Sequence, residues 1–154
     1  MKVSDVMTEA AIFDSPDDTV AEAASRMWQS RTGSLLVMEE DRLIGIVTER
    51  DVLRVAGEGH DLKSVSLRDA MTSDVVTVPA DTKLVDAAKI MFDKWFRHLP
   101  VVTQTGKVLG VISLRDLLQL VAESMEEPES LEALTGHTLV RDRRLELIEH
   151  GDLD

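Results

Sequence analysis

The chain has 154 residues, enough for one compact domain or two small ones, and its 44% hydrophobic content is typical of globular proteins. It contains no cysteine, which excludes disulfides, thiolate metal sites and a cysteine nucleophile, and no stretch approaches the ~20 apolar residues of a membrane span. The formal net charge of −12 argues against a nucleic-acid partner, because such binding requires a basic face to neutralise phosphates.

The first predicted elements are a strand, a helix, a hairpin and a second helix. The strand-like "AIF" (11–13) precedes a helix for which Thr19 and Glu22 have the spacing of a capping box. Two apolar runs, "SLLVM" (34–38) and "LIGIV" (43–47), flank a polar turn and predict the hairpin. In the helix that follows, we expect Val52, Leu53 and Val55 to face inward.

The same order then occurs a second time. A strand "DVVTV" (74–78), a helix, the hairpin runs 98–102 and 108–112 and a last helix follow one another, and Leu117, Leu118, Leu120 and Val121 are expected to face inward. The clearest match is "GIVTERD" (45–51) against "GVISLRD" (110–116), and "VSDVMT" (3–8) matches "LRDAMT" (67–72). We predict two β-α-β-β-α repeats, residues 1–56 and 67–122, joined by a polar linker, 57–66, and sharing one core because each is too small alone.

The C-terminal extension, residues 123–154, differs in composition from the repeats. It holds 10 acidic and 3 basic residues, so it contributes −7 to the net charge. Pro128 and Gly136 bracket one short predicted helix, and 141–150 reads as a second. Leucines recur through the extension, so we expect part of it to dock, either on its own body or on a partner chain.

The repeated phrase ends a strand and begins a helix, which is a place that favours phosphate. Each copy carries a hydroxyl residue that can donate to phosphate, an arginine, and an aspartate one turn on that can accept from ribose hydroxyls. These residues are Thr48, Arg50 and Asp51 in the first copy and Ser113, Arg115 and Asp116 in the second. The same spacing is also that of a helix-capping box, which needs no ligand.

The sequence resembles a tandem CBS-domain pair, the module named after cystathionine β-synthase, over residues 1 to about 122. The resemblance is based on the doubled G-h-x-[ST]-x-x-D phrase (h apolar), the "DVMT"-type openings and "RHLPVV" (97–102). It implies an α+β fold, an α/β-type sandwich of two repeats packed with pseudo-twofold symmetry, with a C-terminal helical extension. It also implies two clefts between the repeats that bind AMP, ADP or ATP. S-adenosylmethionine is a less favoured ligand.

The resemblance implies candidate residues for two unequal sites. The stronger site is predicted to use Val76, Thr77, His98, Leu99, Val101, Ser113, Arg115 and Asp116. The weaker site is predicted to use Ile12, Thr48, Arg50 and Asp51. The two sites are expected to differ because the first copy has Phe13 or Asp14 at the position that corresponds to Thr77. Phenylalanine lacks the hydrogen-bond donor of threonine and would crowd the site, and aspartate would repel a phosphate. For His98 a structural hydrogen-bonding role is the alternative to phosphate contact.

We expect a non-enzymatic regulatory module that binds adenine nucleotides between its repeats and signals through a change of conformation or partner affinity. The alternative is a structural or assembly module with degenerate sites, acting through its dimer surface or through a protein partner of its tail. A homodimer is expected because Met27, Trp28, Trp95 and Phe96 leave apolar helix faces. The N-terminus lacks the apolar run of a signal peptide, so the expected location is cytoplasmic.

Overall fold

Two three-stranded sheets, one from each half of the chain, organise the residues that the computed structural model describes, 1–9 and 11–124. After a short 3-10 helix, Val3–Asp5, the first half contains β1 (Phe13–Asp14), α1 (Val20–Ser30), β2 (Ser34–Glu39), β3 (Arg42–Thr48) and α2 (Glu49–Gly57). The second half contains α3 (Leu67–Ala70), β4 (Val78–Pro79), α4 (Leu84–Lys94), β5 (His98–Val102), β6 (Val108–Ser113) and α5 (Leu114–Ser124). The predicted α+β class is confirmed. The two helices predicted in the tail lie outside the described residues.

Both sheets have the same topology, with the first strand parallel to the second and the second antiparallel to the third. In the first sheet Phe13 pairs with Leu36 and Asp14 with Val37, whereas in the second Val78 pairs with Val101. Because β2 and β5 occupy equivalent places, Asp14 corresponds to Val78, and therefore Phe13 is the residue that corresponds to Thr77.

The opening segments of the two repeats cross to the opposite half. Thr8 pairs with Val111 on β6, and Thr72 pairs with Ile46 on β3. The described residues consequently form two hydrophobic clusters, and each contains the opening of the other repeat. Val3 belongs to the second-half cluster and Leu67 to the first-half cluster. The repeats were predicted to share one core, but the described residues form two. Each repeat contributes its opening segment to the core of the other repeat.

This crossing explains the glycine with which each repeated phrase begins. A Cβ atom on Gly110 would overlap the carbonyl oxygen of Thr8, and a Cβ atom on Gly45 would overlap the side chain of Met71. A strand glycine often marks such a close approach. The glycines are therefore required by the protein's own crossing segments.

The helices bury one face each, but the buried faces are narrower than predicted. The capping box of α1 is confirmed: the backbone N–H of Thr19 donates to the Glu22 carboxylate (2.8 Å), and Glu22 N–H donates to the Thr19 hydroxyl (3.3 Å). Leu53 and Leu118 were predicted to face inward and are 71% and 61% exposed. Each of these two helices buries a single hydrophobic residue, Val55 on α2 and Leu117 on α5, so its contact with the core is narrow. No helix among the described residues is long and apolar enough to cross a membrane.

The segment 57–66, predicted as a polar linker, packs onto the first half. Leu62 and Val65 contact the first-half cluster. The N–H groups at the start of α1 donate to this segment, Val20 to the Val65 carbonyl and Ala21 to the Leu62 carbonyl, both at 2.9 Å. The linker therefore caps and covers the N-terminus of α1.

Candidate functional site

Both repeated phrases form helix caps. The backbone N–H and hydroxyl of Thr48 donate to Oδ2 of Asp51 at 2.8 and 3.0 Å, and those of Ser113 donate to Oδ2 of Asp116 at 2.7 Å each. The structure therefore contains the helix-capping contacts that the sequence offered as the alternative to ligand binding. Oδ1 of neither carboxylate accepts a hydrogen bond from residues 1–9 or 11–124, although Oδ1 of Asp51 lies 3.8 Å from the Arg54 guanidinium, so each can accept from a further donor.

A cleft between the two halves contains the first of these caps. We call it the Asp51 cleft, and it has a volume of about 110 Å³. Its polar lining comes from Thr48, Arg50, Asp51, Thr72, Asp74, Arg97 and His98. Its apolar lining comes from Ile46, Val75, Val76, Trp95, Phe96 and Pro100. A concave apolar surface with a few convergent polar groups is the usual form of a small-molecule site.

The Asp51 cleft groups the predicted residues differently from the sequence-based assignment. Val76 and His98, predicted for the stronger site, lie in one cleft with Thr48, Arg50 and Asp51, which were predicted for the weaker site. The reason is the crossing of the openings, which brings the segment after Thr72 of the second repeat beside β3 of the first.

The second phrase lies at the pseudo-equivalent place, and its Ser113 pairs across the sheet with His98, a residue of the Asp51 cleft. None of Ser113, Arg115 and Asp116 lines that cleft. Instead β6 is crossed by the N-terminal opening, with hydrogen bonds in both directions between Thr8 and Val111 (2.9 and 3.0 Å). By pseudo-symmetry, the N-terminal opening takes the place beside the second phrase that the opening of the second repeat takes beside the first.

Four further predicted residues, Ile12, Thr77, Leu99 and Val101, lie outside the lining of the Asp51 cleft. Leu99 and Val101 have 0% exposure and belong to the second-half core. Ile12 packs against the first-half cluster, and Thr77 is half-buried but does not line the Asp51 cleft. Alternation along β5 explains the first two, since residues that point into the core cannot also face the ligand side.

An ion pair connects the two halves beside the cleft. A terminal nitrogen of the Arg97 guanidinium lies 2.6 Å from Oε1 of Glu49, the first residue of α2. The pair has no pseudo-symmetric counterpart, because Gly33 stands in the place of Arg97 and Leu114 in the place of Glu49. Such an exposed pair contributes about 0–1 kcal/mol, so a competing anion can displace the Glu49 carboxylate.

His98 lines the Asp51 cleft, and its surroundings favour the neutral imidazole. Burial, followed by the charge of Arg97, lowers the pKa of His98, and Glu49 and Asp116 oppose this shift weakly. Gly33 packs closely against the imidazole, since a Cβ atom on Gly33 would lie only 3.2 Å from the His98 ring. The imidazole can therefore donate one hydrogen bond to an anion without adding a permanent positive charge.

The sequence-based assignment omitted both aromatic residues of the cleft. Trp95 ends α4 with a left-handed backbone (φ 57°), a conformation uncommon for residues other than glycine. Its indole Nε1 is buried without a hydrogen-bond partner among residues 1–9 and 11–124. Trp95 and Phe96 were expected in the core or on a dimer surface; Phe96 does pack against the second-half core, and both residues line the cleft. Their position directly before "RHLPVV" is the signal that could have placed them there.

Two repeats with crossed openings and a cleft between them define the fold as a tandem pair, and comparison with known proteins gives its family. The CBS domain model matches residues 3–58 and 67–123. The chain belongs to the CBS domain family. Among residues 1–9 and 11–124 there is no group of three or more His, Cys, Asp or Glu side chains that could hold a metal ion.

Relatives of similar architecture are found in archaea and plants. An uncharacterised 17.7 kDa protein of Acidianus ambivalens is 39% identical over 79% of this chain and 74% of its own length. The mitochondrial CBS domain-containing protein CBSX3 of Arabidopsis thaliana is 35% identical over 85% of this chain and 70% of its own.

Solved structures share the fold, and ligand complexes are among them. A CBS domain protein of Pyrobaculum aerophilum complexed with AMP is 26% identical, with a TM-score of 0.71 over 79% of this chain and 99% of that one. The CBS domain pair of protein MJ0100, in complex with 5-methylthioadenosine and S-adenosyl-L-methionine, is 21% identical, with a TM-score of 0.76 over 81% of this chain and 98% of that one. At 21% identity, the MJ0100 structure shows only that the two proteins share a fold.

Proposed function

We propose that this chain is a regulatory module that binds an adenine nucleotide in the Asp51 cleft and carries out no catalysis. The observation that carries the proposal is the meeting, in one cleft, of a helix N-terminus, two arginines and an apolar surface from the other repeat. The AMP complex of the related Pyrobaculum protein supports the ligand class.

Each part of a nucleotide has complementary groups in this cleft. The apolar side chains of Val76, Trp95 and their neighbours suit a purine base, and Asp51 Oδ1 can accept from ribose hydroxyls. Arg50 and Arg97 suit phosphate oxygens. Two arginines and two aspartates give the lining no net charge, which favours AMP over ATP.

Binding changes the shape of the cleft in this proposal. A volume of about 110 Å³ is below the ~300–1,000 Å³ of typical ligand pockets, so a nucleotide must widen it. The pair between Arg97 and Glu49 spans the two halves, and a phosphate that takes over Arg97 would release Glu49 and α2. This release is the conformational signal, expressed as altered affinity for a partner protein.

The proposed release can be tested with one isosteric change. Glu49→Gln removes the competing charge and should tighten AMP binding about threefold to tenfold, the range of ~0.6–1.4 kcal/mol. Glu39→Gln is the matched control: it removes an equally exposed acid from an ion pair of the same length with Arg68, neither residue lines the cleft, and the dissociation constant should stay unchanged. Equal affinities in both variants and the parent would contradict the release mechanism.

We also propose a homodimer, although the residues that support it differ from those expected. Met27 is buried and Trp28 is 85% exposed, and Leu53 on α2 and Leu118 on α5 are exposed as well. These exposed apolar side chains also favour the alternative function, assembly through protein contacts with degenerate ligand sites. Light scattering at micromolar concentration tests the dimer, and a 17 kDa particle would contradict it.

A thermal-shift panel separates the two functions. AMP, ADP, ATP and S-adenosylmethionine are added to the full chain at millimolar concentration. A ligand at 100 times its dissociation constant adds about 2.7 kcal/mol to the free energy of unfolding, a shift of several degrees for a domain of this size. An unchanged melting temperature with all four ligands would contradict nucleotide binding and favour the assembly function.

A further inference from the structure

An apolar groove lies at the N-terminal end of α4, the end remote from the Asp51 cleft. It has a volume of about 530 Å³. We call it the α4 groove, and it is lined by Met1, Lys2, Asp81, Lys83, Leu84 and Val85. Val85, on the outer wall of the groove, is 57% exposed.

The equivalent place in the first half is covered by protein. There the segment after α2 lies over the start of α1, and both Val20 N–H and Ala21 N–H donate to it. In the second half the counterpart of the first bond exists, from Leu84 N–H to the Met1 carbonyl (3.2 Å). The bond from Ala21 N–H has no such counterpart, because Val85 N–H finds no acceptor within residues 1–9 and 11–124.

The path of the chain indicates which segment can reach the groove. α2 and α5 both begin beside the end of the preceding helix, as shown by the bonds from Glu49 N–H to the Gly33 carbonyl (3.0 Å) and from Leu114 N–H to the Arg97 carbonyl (2.8 Å). Each also packs on that helix. By pseudo-twofold symmetry, the chain leaving α5 at Ser124 emerges near the start of α4, as the chain leaving α2 emerges near the start of α1.

The segment directly after Ser124 has the chemistry that the groove requires. Residues 125–134 read "MEEPESLEAL", with four glutamates, no basic residue and several apolar side chains. The groove is lined by two lysines, one aspartate and an apolar floor. At about 3.3 Å per extended residue the ten residues reach up to ~33 Å, about twice the ~16 Å length of α4.

We propose that residues 125–134 dock in the α4 groove of their own chain, with Leu131 taking the place that Leu62 takes on α1. The docked segment covers Leu84 and Val85, offers a carbonyl to Val85 N–H and places its glutamates beside Lys2 and Lys83. The tail is then a fixed part of the second repeat, and only the residues beyond 134 extend from it.

The absence of cysteine from the chain allows a single-thiol test in the full-length protein. Val85→Cys should react with an alkylating reagent at least about tenfold more slowly than Lys89→Cys, one turn further along α4 at a position with 71% side-chain exposure. Each rate is divided by its rate in urea to remove intrinsic differences in thiol reactivity. Adding Leu131→Asp should return the Val85→Cys rate to within about twofold of the Lys89→Cys rate, whereas the control Leu145→Asp should preserve the protection.

Two results would overturn the proposal. One is a Val85→Cys thiol that reacts as fast as Lys89→Cys, or whose protection survives Leu131→Asp. The other is protection that disappears on dilution, which would assign the groove to a second copy of the chain.

A cross-link gives an independent measurement. Oxidation of the Val85→Cys, Leu131→Cys double variant should give a monomer-sized species that migrates faster on a non-reducing gel, and the Val85→Cys, Leu145→Cys control should form it at least about tenfold more slowly. A dimer-sized product, or equal rates for the two pairs, would contradict docking within one chain.

Discussion

The carboxylates of Asp51 and Asp116 form a matched pair for mutagenesis, because they make the same caps and differ in their surroundings. Each accepts from the backbone N–H and hydroxyl of the residue three positions earlier, at 2.7 to 3.0 Å. Replacing either with alanine should lower the free energy of unfolding by about 1 kcal/mol, the usual effect of losing a helix cap. The loss of the cap is therefore expected to cost the two variants similar stability, and Asp51→Ala also loses the half-exposed ion pair of Asp51 with Arg54, which contributes about 0–1 kcal/mol.

The effect on nucleotide binding should differ between the two variants. Asp51 lines the cleft that also contains Val76, Arg97 and His98, whereas Asp116 lies outside it. A hydrogen bond to a charged group contributes about 1.5–3 kcal/mol, so Asp51→Ala should weaken AMP binding at that site roughly 10- to 150-fold. Asp116→Ala should change the same constant by less than about threefold, or ~0.6 kcal/mol.

Titration calorimetry with AMP measures the binding constants, and urea unfolding confirms that both variants are folded. If Asp116→Ala abolished the tighter binding event while Asp51→Ala left it intact, the assignment to the Asp51 cleft would be refuted. The original grouping by repeat, with Asp116 in the stronger site, would then be supported.

Three further predictions concern stability. Gly110→Ala should lower the free energy of unfolding by about 1–3 kcal/mol and Gly45→Ala by less, in urea titrations, because a backbone carbonyl blocks the first position and a flexible methionine the second. Asp14 is buried against Arg26, and burial raises the pKa of its carboxyl more than Arg26 lowers it. Asp14→Val, which introduces the residue type of the equivalent position, should therefore stabilise the protein by about 1 kcal/mol or more, and a loss of stability would contradict this. Because burial lowers the pKa of His98, the unfolded chain binds the proton more readily, so stability should fall as pH drops below about 6.5. The fall should be smaller in His98→Gln, and equal pH dependence would count against a buried neutral histidine.

The sequence predicted the repeats and the fold class because both depend on local patterns. Apolar spacing, the capping box at Thr19 and the doubled phrase each report on a few adjacent residues, and the structure has the corresponding helices and strands. Strand register then decided between Phe13 and Asp14 as the counterpart of Thr77, which spacing alone had left open.

The composition of the cleft depends on long-range pairing, which local patterns do not contain. The bridge between Ile46 and Thr72 brings the lead-in of one repeat to the phrase of the other, so residues assigned to one repeat's site are divided between two places. Leu99 and Val101 were placed in a ligand slot by family resemblance, but strand alternation directs them into the core. Whether the remaining candidates bind a ligand stays a prediction.

A crystal structure of the full chain grown with AMP tests the central claim most directly, because it shows which phrase holds the ligand. We predict a nucleotide in the Asp51 cleft, with its ribose hydroxyls on Asp51, its phosphate on Arg97 and the ion pair between Arg97 and Glu49 broken. A nucleotide bound only at Ser113 and Asp116, with that ion pair intact, would contradict the account.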